Sequence, residues 1–190
     1  SIFVNPTQFN DRTDLDRYPR TIDRDRRMLE EAGVDVVFLP EAEDIYRDSH
    51  RFSITENTVT SALEGTHRPG HFEGVMTVVM KLLCLTLPDR AYFGEKDWQQ
   101  YVVVRDMSSA FFLPTEIVPC PVIRESDGLA MSSRNKYLTA DTRTQALCLS
   151  KSIKAAQRLV EEKGRGVPSV AILDETRKIV AESDGVLDYA

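Results

Sequence analysis

Phe93-Gly94-Glu95-Lys96-Asp97-Trp98-Gln99-Gln100 is the stretch on which the reading of this chain turns. Ahead of it, Ala91-Tyr92-Phe93 is a short apolar run suited to a buried strand. Behind it, Tyr101-Val102-Val103-Val104 leads to Met107, Phe111 and Phe112 with helix-like recurrence. Asp97 stands where an N-cap belongs, so the order is strand, tight glycine turn, helix. Such a turn leaves free backbone N–H groups and the positive end of a helix dipole at the carboxyl edge of a sheet, where anions bind. Lys96 adds a mobile positive charge there, and Gln100 follows one helical turn later on the same face. An ordinary βα junction with a surface lysine fits this octapeptide equally well.

Working outward, residues 2–4 read as a strand end, followed by Asn5-Pro6-Thr7-Gln8-Phe9. Pro6 stops a ladder and biases Asn5 towards an extended shape, which places two amides in a stiff loop at the strand's carboxyl end. Amides donate and accept at once, which suits hydroxyls and a carboxylate. A turn in which Asn5 bonds its own backbone is the plainer alternative. Residues 10–18 are polar and expected to be mobile. A charged helix is expected over 21–32, with Ile22, Met28 and Leu29 inward and Gly33 as its stop. The run at 34–39 predicts a strand covered on both faces.

A short strand over 51–55 and a short helix over 58–63 precede Glu64-Gly65-Thr66-His67-Arg68-Pro69-Gly70-His71-Phe72-Glu73-Gly74, a shaped loop. Pro69 and Gly70 break any helix between His67 and His71, so that pair does not form a zinc face. A buried helix is expected over 75–87, ended by Pro88, and a further strand over 115–118. The alternation of strands and helices predicts an α/β fold with a doubly wound parallel sheet, in which ligands bind at the carboxyl ends of strands. The loops carrying Asn5 and Gln8, Arg68 and His71, and Gly94 to Asp97 should then share one edge.

Composition changes at Arg124-Glu125-Ser126-Asp127-Gly128-Leu129-Ala130-Met131-Ser132-Ser133-Arg134-Asn135, which holds almost no large apolar residue. Helices are expected over 141–163 and 168–182. This divides the chain into a domain over 1–122 and part of a second, smaller domain over 123–190. Two serines and an arginine in a hinge match the acceptors of a polyphosphate, as hydroxyls and a guanidinium; a polar linker with an N-cap reads the same residues without a ligand.

The net charge of −6 over 190 residues argues against general binding to nucleic acid or anionic membranes. No apolar run reaches membrane-spanning length and no signal-peptide layout opens the chain, which predicts a cytoplasmic protein. Cys84, Cys120 and Cys148 are odd in number and widely spaced, so they read as reduced packing cysteines. Asp23 and Asp25 offer carboxylates for a hydrated cation, but Arg24, Arg26 and Arg27 surround them, which favours a solvated helix face.

Five blocks taken in order, Phe3-Val4-Asn5-Pro6-Thr7-Gln8-Phe9, Tyr18-Pro19-Arg20-Thr21, Arg68-Pro69-Gly70-His71-Phe72-Glu73-Gly74-Val75, Phe93 to Gln100, and Arg124 to Asn135, resemble the pantoate–β-alanine ligases (pantothenate synthetases). The resemblance runs from the first residue to about Tyr137 and is only general beyond. It implies a Rossmann-like nucleotidyltransferase domain with a smaller α+β lid, and a homodimer. It also implies a reaction in which ATP and pantoate form pantoyl adenylate, which the amine of β-alanine then attacks. Pantoate and β-alanine are then the small-molecule partners, and ATP arrives with Mg2+.

By position, the resemblance assigns Asn5, Gln8 and Gln100 to the pantoate pocket, with Gln8 also near β-alanine. Tyr18, Arg68 and His71 line the same cleft. It assigns Gly94, Glu95 and Asp97 to the turn that holds the nucleotide, and Ile123 to a backbone contact with adenine. Lys96, Ser132, Ser133 and Arg134 neutralise phosphate charge during the reaction, with Met131 in the same signature. Of the acidic pair only Asp25 keeps a metal role. The family's H-x-G-H signature occurs nowhere in residues 1–190, and His67 to His71 reads H-R-P-G-H in a different loop. The chain is therefore expected to be a piece of a longer enzyme, inactive by itself. The alternatives are another nucleotidyltransferase of the same superfamily, such as a cytidylyltransferase, and a ligand-binding remnant.

Overall fold

The computed structural model describes residues 1–190, which fall into two compact units, Ser1–Cys120 and Pro121–Ala190. In the first, Asn5 caps a single 3-10 turn, Pro6–Gln8, and helices α1 (Arg12–Arg17) and α2 (Ile22–Glu31) follow. Two one-turn helices, α3 (Ala42–Ile45) and α4 (Glu64–His67), lead to the long α5 (His71–Thr86). Then come β1 (Arg90–Gly94), a 3-10 turn at Glu95–Asp97, α6 (Trp98–Ala110) and β2 (Glu116–Cys120). The second unit carries a 3-10 turn at Ser133–Tyr137 and helices α7 (Ala140–Ala146), α8 (Cys148–Lys163) and α9 (Ser169–Ala181).

β1 and β2 pair in parallel, from Arg90 against Glu116 to Gly94 against Cys120, with α6 as the connection between them. This is the α/β arrangement that the alternating pattern predicts. α5 is the hub of the unit because it is apolar on more than one side. Phe72 and Met76, one turn apart, meet Val103 and Met107 of α6, and Val78 meets Ile45 and Tyr46. Each of these buried side chains contributes about 1.5–3 kcal/mol. Gly70 at φ +79° sets the start of α5 at His71, ahead of the expected residue 75. Leu87 in the left-handed region and Pro88 end it.

Several expected elements differ. Residues 2–4 and 34–39 run without a ladder, joined by one backbone bond in which Ile2 N–H donates to the Phe38 carbonyl at 2.9 Å. Val36 is 80% exposed, so this run is not covered on both faces. Residues 51–55 are also without a strand; there Ile54 N–H donates to Thr77 Oγ1 of α5 at 3.0 Å instead. The polar segment expected to be mobile contains α1, capped by Asp11, whose carboxylate accepts Thr13 N–H at 2.7 Å. α2 buries no residue, and Met28 lies outside rather than inward. Cys84 is exposed, so it is not a packing cysteine. The single helix expected over 141–163 is broken at Leu147 into α7 and α8. No helix is long and apolar enough to cross a membrane.

Candidate functional site

In the first unit the site is built where the Asn5–Asn10 loop is strapped to the N-terminus of α5. Asn5 is 3% exposed, and both ends of its amide are engaged. Nδ2 donates to the Gly74 carbonyl and to Gln8 Oε1, both at 3.2 Å. Oδ1 accepts from the Tyr46 hydroxyl at 2.6 Å and from Thr7 Oγ1 at 3.0 Å. Asn5, assigned to the substrate pocket by the resemblance, has partners within the chain at both ends of its amide. Its cap bond to Thr7 N–H at 3.4 Å is the plainer turn reading realised. Gln8 Nε2 makes no hydrogen bond within the chain, so its donors are available.

The Gln8 carbonyl is gripped twice, by Arg68 Nη2 at 2.9 Å and by His71 Nδ1 at 2.8 Å. A carbonyl only accepts, so Nδ1 carries the proton and Nε2 of the neutral ring is left as an acceptor. Burial lowers the His71 pKa, with the Gln8 carbonyl opposing and the Arg68 guanidinium reinforcing the shift. Arg68 is also paired with Glu64 at 3.1 Å, and Asn10 Nδ2 donates to the Pro69 carbonyl at 2.7 Å. Four side-chain bonds thus bind residues 5–10 to residues 68–74. Tyr18 stands beside this loop, edge-on to Phe9 with ring centroids 5.6 Å apart.

The 94–100 turn supplies the second part. Asp97 occupies the N-cap position of α6, but its side chain caps nothing. Lys96 Nζ lies 3.6 Å from Asp97 Oδ1, both side chains being exposed. An exposed pair of this kind holds weakly, so Lys96 stays available to an incoming phosphate. Gly94 has an ordinary φ of −73°, so no tight turn requires glycine there. A Cβ at Gly94 would meet nothing within 4 Å, which leaves room for close approach of a ligand. The glutamine pair divides its work. Gln99 donates to the Val59 and Ala62 carbonyls at 2.8 and 2.9 Å and accepts Glu64 N–H at 3.2 Å, while Gln100 makes no hydrogen bond through its side chain.

The remaining expected residues lie in the second unit. Residues 123–131 form a hairpin: Arg124 bridges Ala130, Met131 N–H donates to the Ile123 carbonyl at 2.9 Å, and Gly128 turns at φ +96°. Ser132 then caps the next turn, accepting Arg134 N–H on Oγ at 3.2 Å. Ile123, Met131, Ser133 and Arg134 are all exposed. The segment is braced from its far side. Asn135 Nδ2 donates to Glu125 Oε1 at 2.6 Å and to the Ala130 carbonyl at 3.0 Å. Arg143 of α7 grips Glu125 at 2.6 Å and Asp127 at 2.7 Å. Asn135 and then Arg143 hold the Glu125 carboxyl below its ordinary pKa, and Arg143 does the same for Asp127.

Asp25, the residue assigned a metal role, stands on α2. Its Oδ1 accepts from Thr21 Oγ1 at 3.0 Å, and no group of three His, Cys, Asp or Glu gathers anywhere to hold a metal ion. Residue types alone did not reveal Tyr46, Gly74, Asn135 or Arg143. The one signal was a glycine inside an otherwise helical apolar run at 74, which marks close packing.

The model of the pantoate-beta-alanine ligase family matches residues 1–190. The chain is 50% identical over 161 residues to the pantothenate synthetase of Bdellovibrio bacteriovorus, covering 85% of this chain and 64% of that protein. It is 45% identical over 191 residues to that of Acetivibrio thermocellus, covering 100% and 67%. The crystal structure of the Thermus thermophilus pantothenate synthetase superposes with a TM-score of 0.88 at 44% identity, covering 95% of this chain and 65% of that one. The Francisella tularensis pantoate-beta-alanine ligase, complexed with beta-gamma ATP and beta-alanine, gives 0.74 at 37% identity, covering 94% and 66%. The chain thus spans about two thirds of the length of these relatives.

Proposed function

Because the chain belongs to the pantoate–β-alanine ligase family, we propose that it serves in the ATP-dependent condensation of pantoate with β-alanine. A carboxylate is a poor electrophile until one oxygen becomes part of a good leaving group. In the first step a pantoate carboxylate oxygen attacks the α-phosphorus of ATP. The bond from that phosphorus to the bridging oxygen breaks, and pyrophosphate leaves with the electron pair. In the second step the β-alanine amine attacks the acyl carbon of pantoyl adenylate. The C–N bond forms, the acyl C–O bond breaks, the amine loses a proton, and AMP departs.

The observation that carries this reading is the donor-bearing Gln8 side-chain amide on a loop whose Gln8 backbone carbonyl is gripped by Arg68 and by His71 at the start of α5. Gln8 presents a free NH2, its Oε1 being held by Asn5, and Gln100 a free amide, groups suited to the hydroxyls and carboxylate of a hydroxy acid. His71 offers an acceptor nitrogen for a hydroxyl or an amine. Lys96 and the free N–H groups at the start of α6 suit the phosphates, with Gly94 and Asp97 beside the ribose. Ser132, Ser133 and Arg134 add hydroxyls and a guanidinium for the leaving pyrophosphate. Catalysis on this reading is alignment and charge neutralisation. Magnesium enters as the counter-ion of the nucleotide phosphates, since no carboxylate cluster of this chain fits it, and no step is routed through it. The second unit acts as the lid, and the assembled enzyme is a cytoplasmic homodimer.

Exchange of radiolabelled pyrophosphate into ATP tests the reading. Exchange should require pantoate, and β-alanine should divert the adenylate to AMP and product. Exchange that proceeds without pantoate, or with CTP in place of ATP, would overturn it.

A further inference from the structure

We propose that Tyr46 is a positioning residue that sets which face of the Gln8 amide meets the substrate. The inference rests on the pantoate reading above for its ligand, but its geometry stands apart from it. The Gly74 carbonyl can only accept, so the Asn5 NH2 must face it, and Asn5 Oδ1 must face the other way. That oxygen meets the Tyr46 hydroxyl at 2.6 Å, a short bond between buried groups, with Tyr46 itself 6% exposed. Burial holds the phenol above its ordinary pKa, so it remains a proton donor. The second Asn5 N–H then reaches Gln8 Oε1 at 3.2 Å. The Gln8 carbonyl oxygen is thereby occupied and its NH2 is left to the ligand. The Gly74 carbonyl on one side, and on the other the Tyr46 phenol with Thr7 Oγ1 3.0 Å from both it and Asn5 Oδ1, hold two amides in one orientation, and the shortest of these bonds is the phenol's.

Tyr46 is itself held with unusual care. Lys81 Nζ lies 4.9 Å from the centre of its ring, while donating to Asp48 at 2.6 Å and to the Ile45 carbonyl at 3.0 Å. The His50 ring stacks against it at 4.2 Å. To close this turn, Ser49 and His50 both adopt positive φ, 52° and 60°. Two consecutive left-handed residues that are not glycine are sparsely populated, and such strain persists only where the surroundings over-determine it. Asp48 supplies that: its Oδ2 accepts Phe52 N–H at 3.0 Å, and its backbone carbonyl accepts Arg51 N–H at 3.2 Å. No residue of this turn was singled out by residue type or by the family resemblance.

Tyr46→Phe removes the donor and keeps the ring. We expect the pantoate KM to rise roughly tenfold, the worth of one buried hydrogen bond left unmade. The ATP KM should stay within about twofold, because the nucleotide-facing residues do not depend on this bond. In the free protein, the Asn5 side-chain NH2 should show slow hydrogen exchange by NMR, and Tyr46→Phe should speed it. Unchanged exchange at Asn5 would overturn the proposal, as would an equal rise in both KM values. A lower melting temperature with both KM values unchanged would also overturn it, leaving Tyr46 a merely structural residue. Faster Asn5 exchange in Tyr46→Phe, together with wild-type pyrophosphate exchange that does not require pantoate, would support the positioning role while sinking the substrate reading.

Discussion

Gly74→Ala should loosen the Asn5–Gln8 loop from a distance. Gly74 lies inside α5, where alanine would ordinarily help by about 1 kcal/mol. Here a Cβ would come within 2.7 Å of the Thr7 carbonyl oxygen, 2.8 Å of its carbon and 2.9 Å of its Oγ1. Normal contact is about 3.5 Å, so loop and helix must part by roughly 0.8 Å. Added to the 3.2 Å bond from Asn5 Nδ2 to the Gly74 carbonyl, that opening exceeds hydrogen-bonding range. Overpacking costs about 1–3 kcal/mol and the lost bond about 0.5–1.5 kcal/mol. Less the helix gain, the net destabilisation is roughly 0.5–3.5 kcal/mol. For a unit of this size that lowers the melting temperature by roughly 2–14 °C. Calorimetry reads the shift, and the pantoate KM should rise with it while the ATP KM holds. A melting temperature equal to or above wild type, with pantoate KM unchanged, would refute the close approach on which this reasoning stands.

Arg143→Ala should release Glu125 and Asp127, so that the hairpin over 123–131 and the 3-10 turn after it become better substrates for trypsin at Arg124 and Arg134, and the ATP KM rises several-fold. Arg143→Lys should fall between, because an ammonium cannot span both carboxylates as a guanidinium does; an unchanged cleavage rate in Arg143→Ala would dismiss the brace. The pH dependence of stability should carry a His71 signature. Its folded-state pKa is lowered, so the neutral ring favours the fold: that contribution is complete above the unfolded value of about 6.5 and is lost as pH falls through it towards the lowered one. Melting curves across this window should steepen for wild type and flatten for His71→Gln, and parallel curves would contradict the assignment.

How far the sequence could be read depended on what each residue's role rests on. The order strand, turn, helix from β1 into α6 was legible from the apolar pattern, but its details were not: β1 is not buried, with Tyr92 64% exposed, Gly94 has ordinary dihedrals and the Asp97 side chain caps nothing. The runs at 2–4 and 34–39 were over-read, since apolar content specifies burial only when a partner strand is present to complete the ladder. The glycines reversed their expected importance: Gly94 has ordinary dihedrals and open space, while Gly74 is where another backbone comes near. Asn5 was found by type, but which end of its amide is satisfied depends on Tyr46 and Gly74, 41 and 69 positions away. Arg143 was invisible for the same reason, as a charge on an amphipathic helix reads as solvated until its two carboxylates fold beneath it.

The brace over Glu125, Asp127, Asn135 and Arg143 has a consequence for inheritance. The bonds that Asn135 and Arg143 make to Glu125, Asp127 and the Ala130 carbonyl, and the bond from Met131 N–H to the Ile123 carbonyl, all lie between Ile123 and Arg143, so the brace comes from the segment's own neighbourhood. The outward faces of α8 and α9 can then drift without touching it, whereas a change at any one of the four bracing positions calls for an answering change at another. In a collection of descendants those four columns should vary together or not at all, and the stretch that contains them should move between homologous proteins as a single cassette.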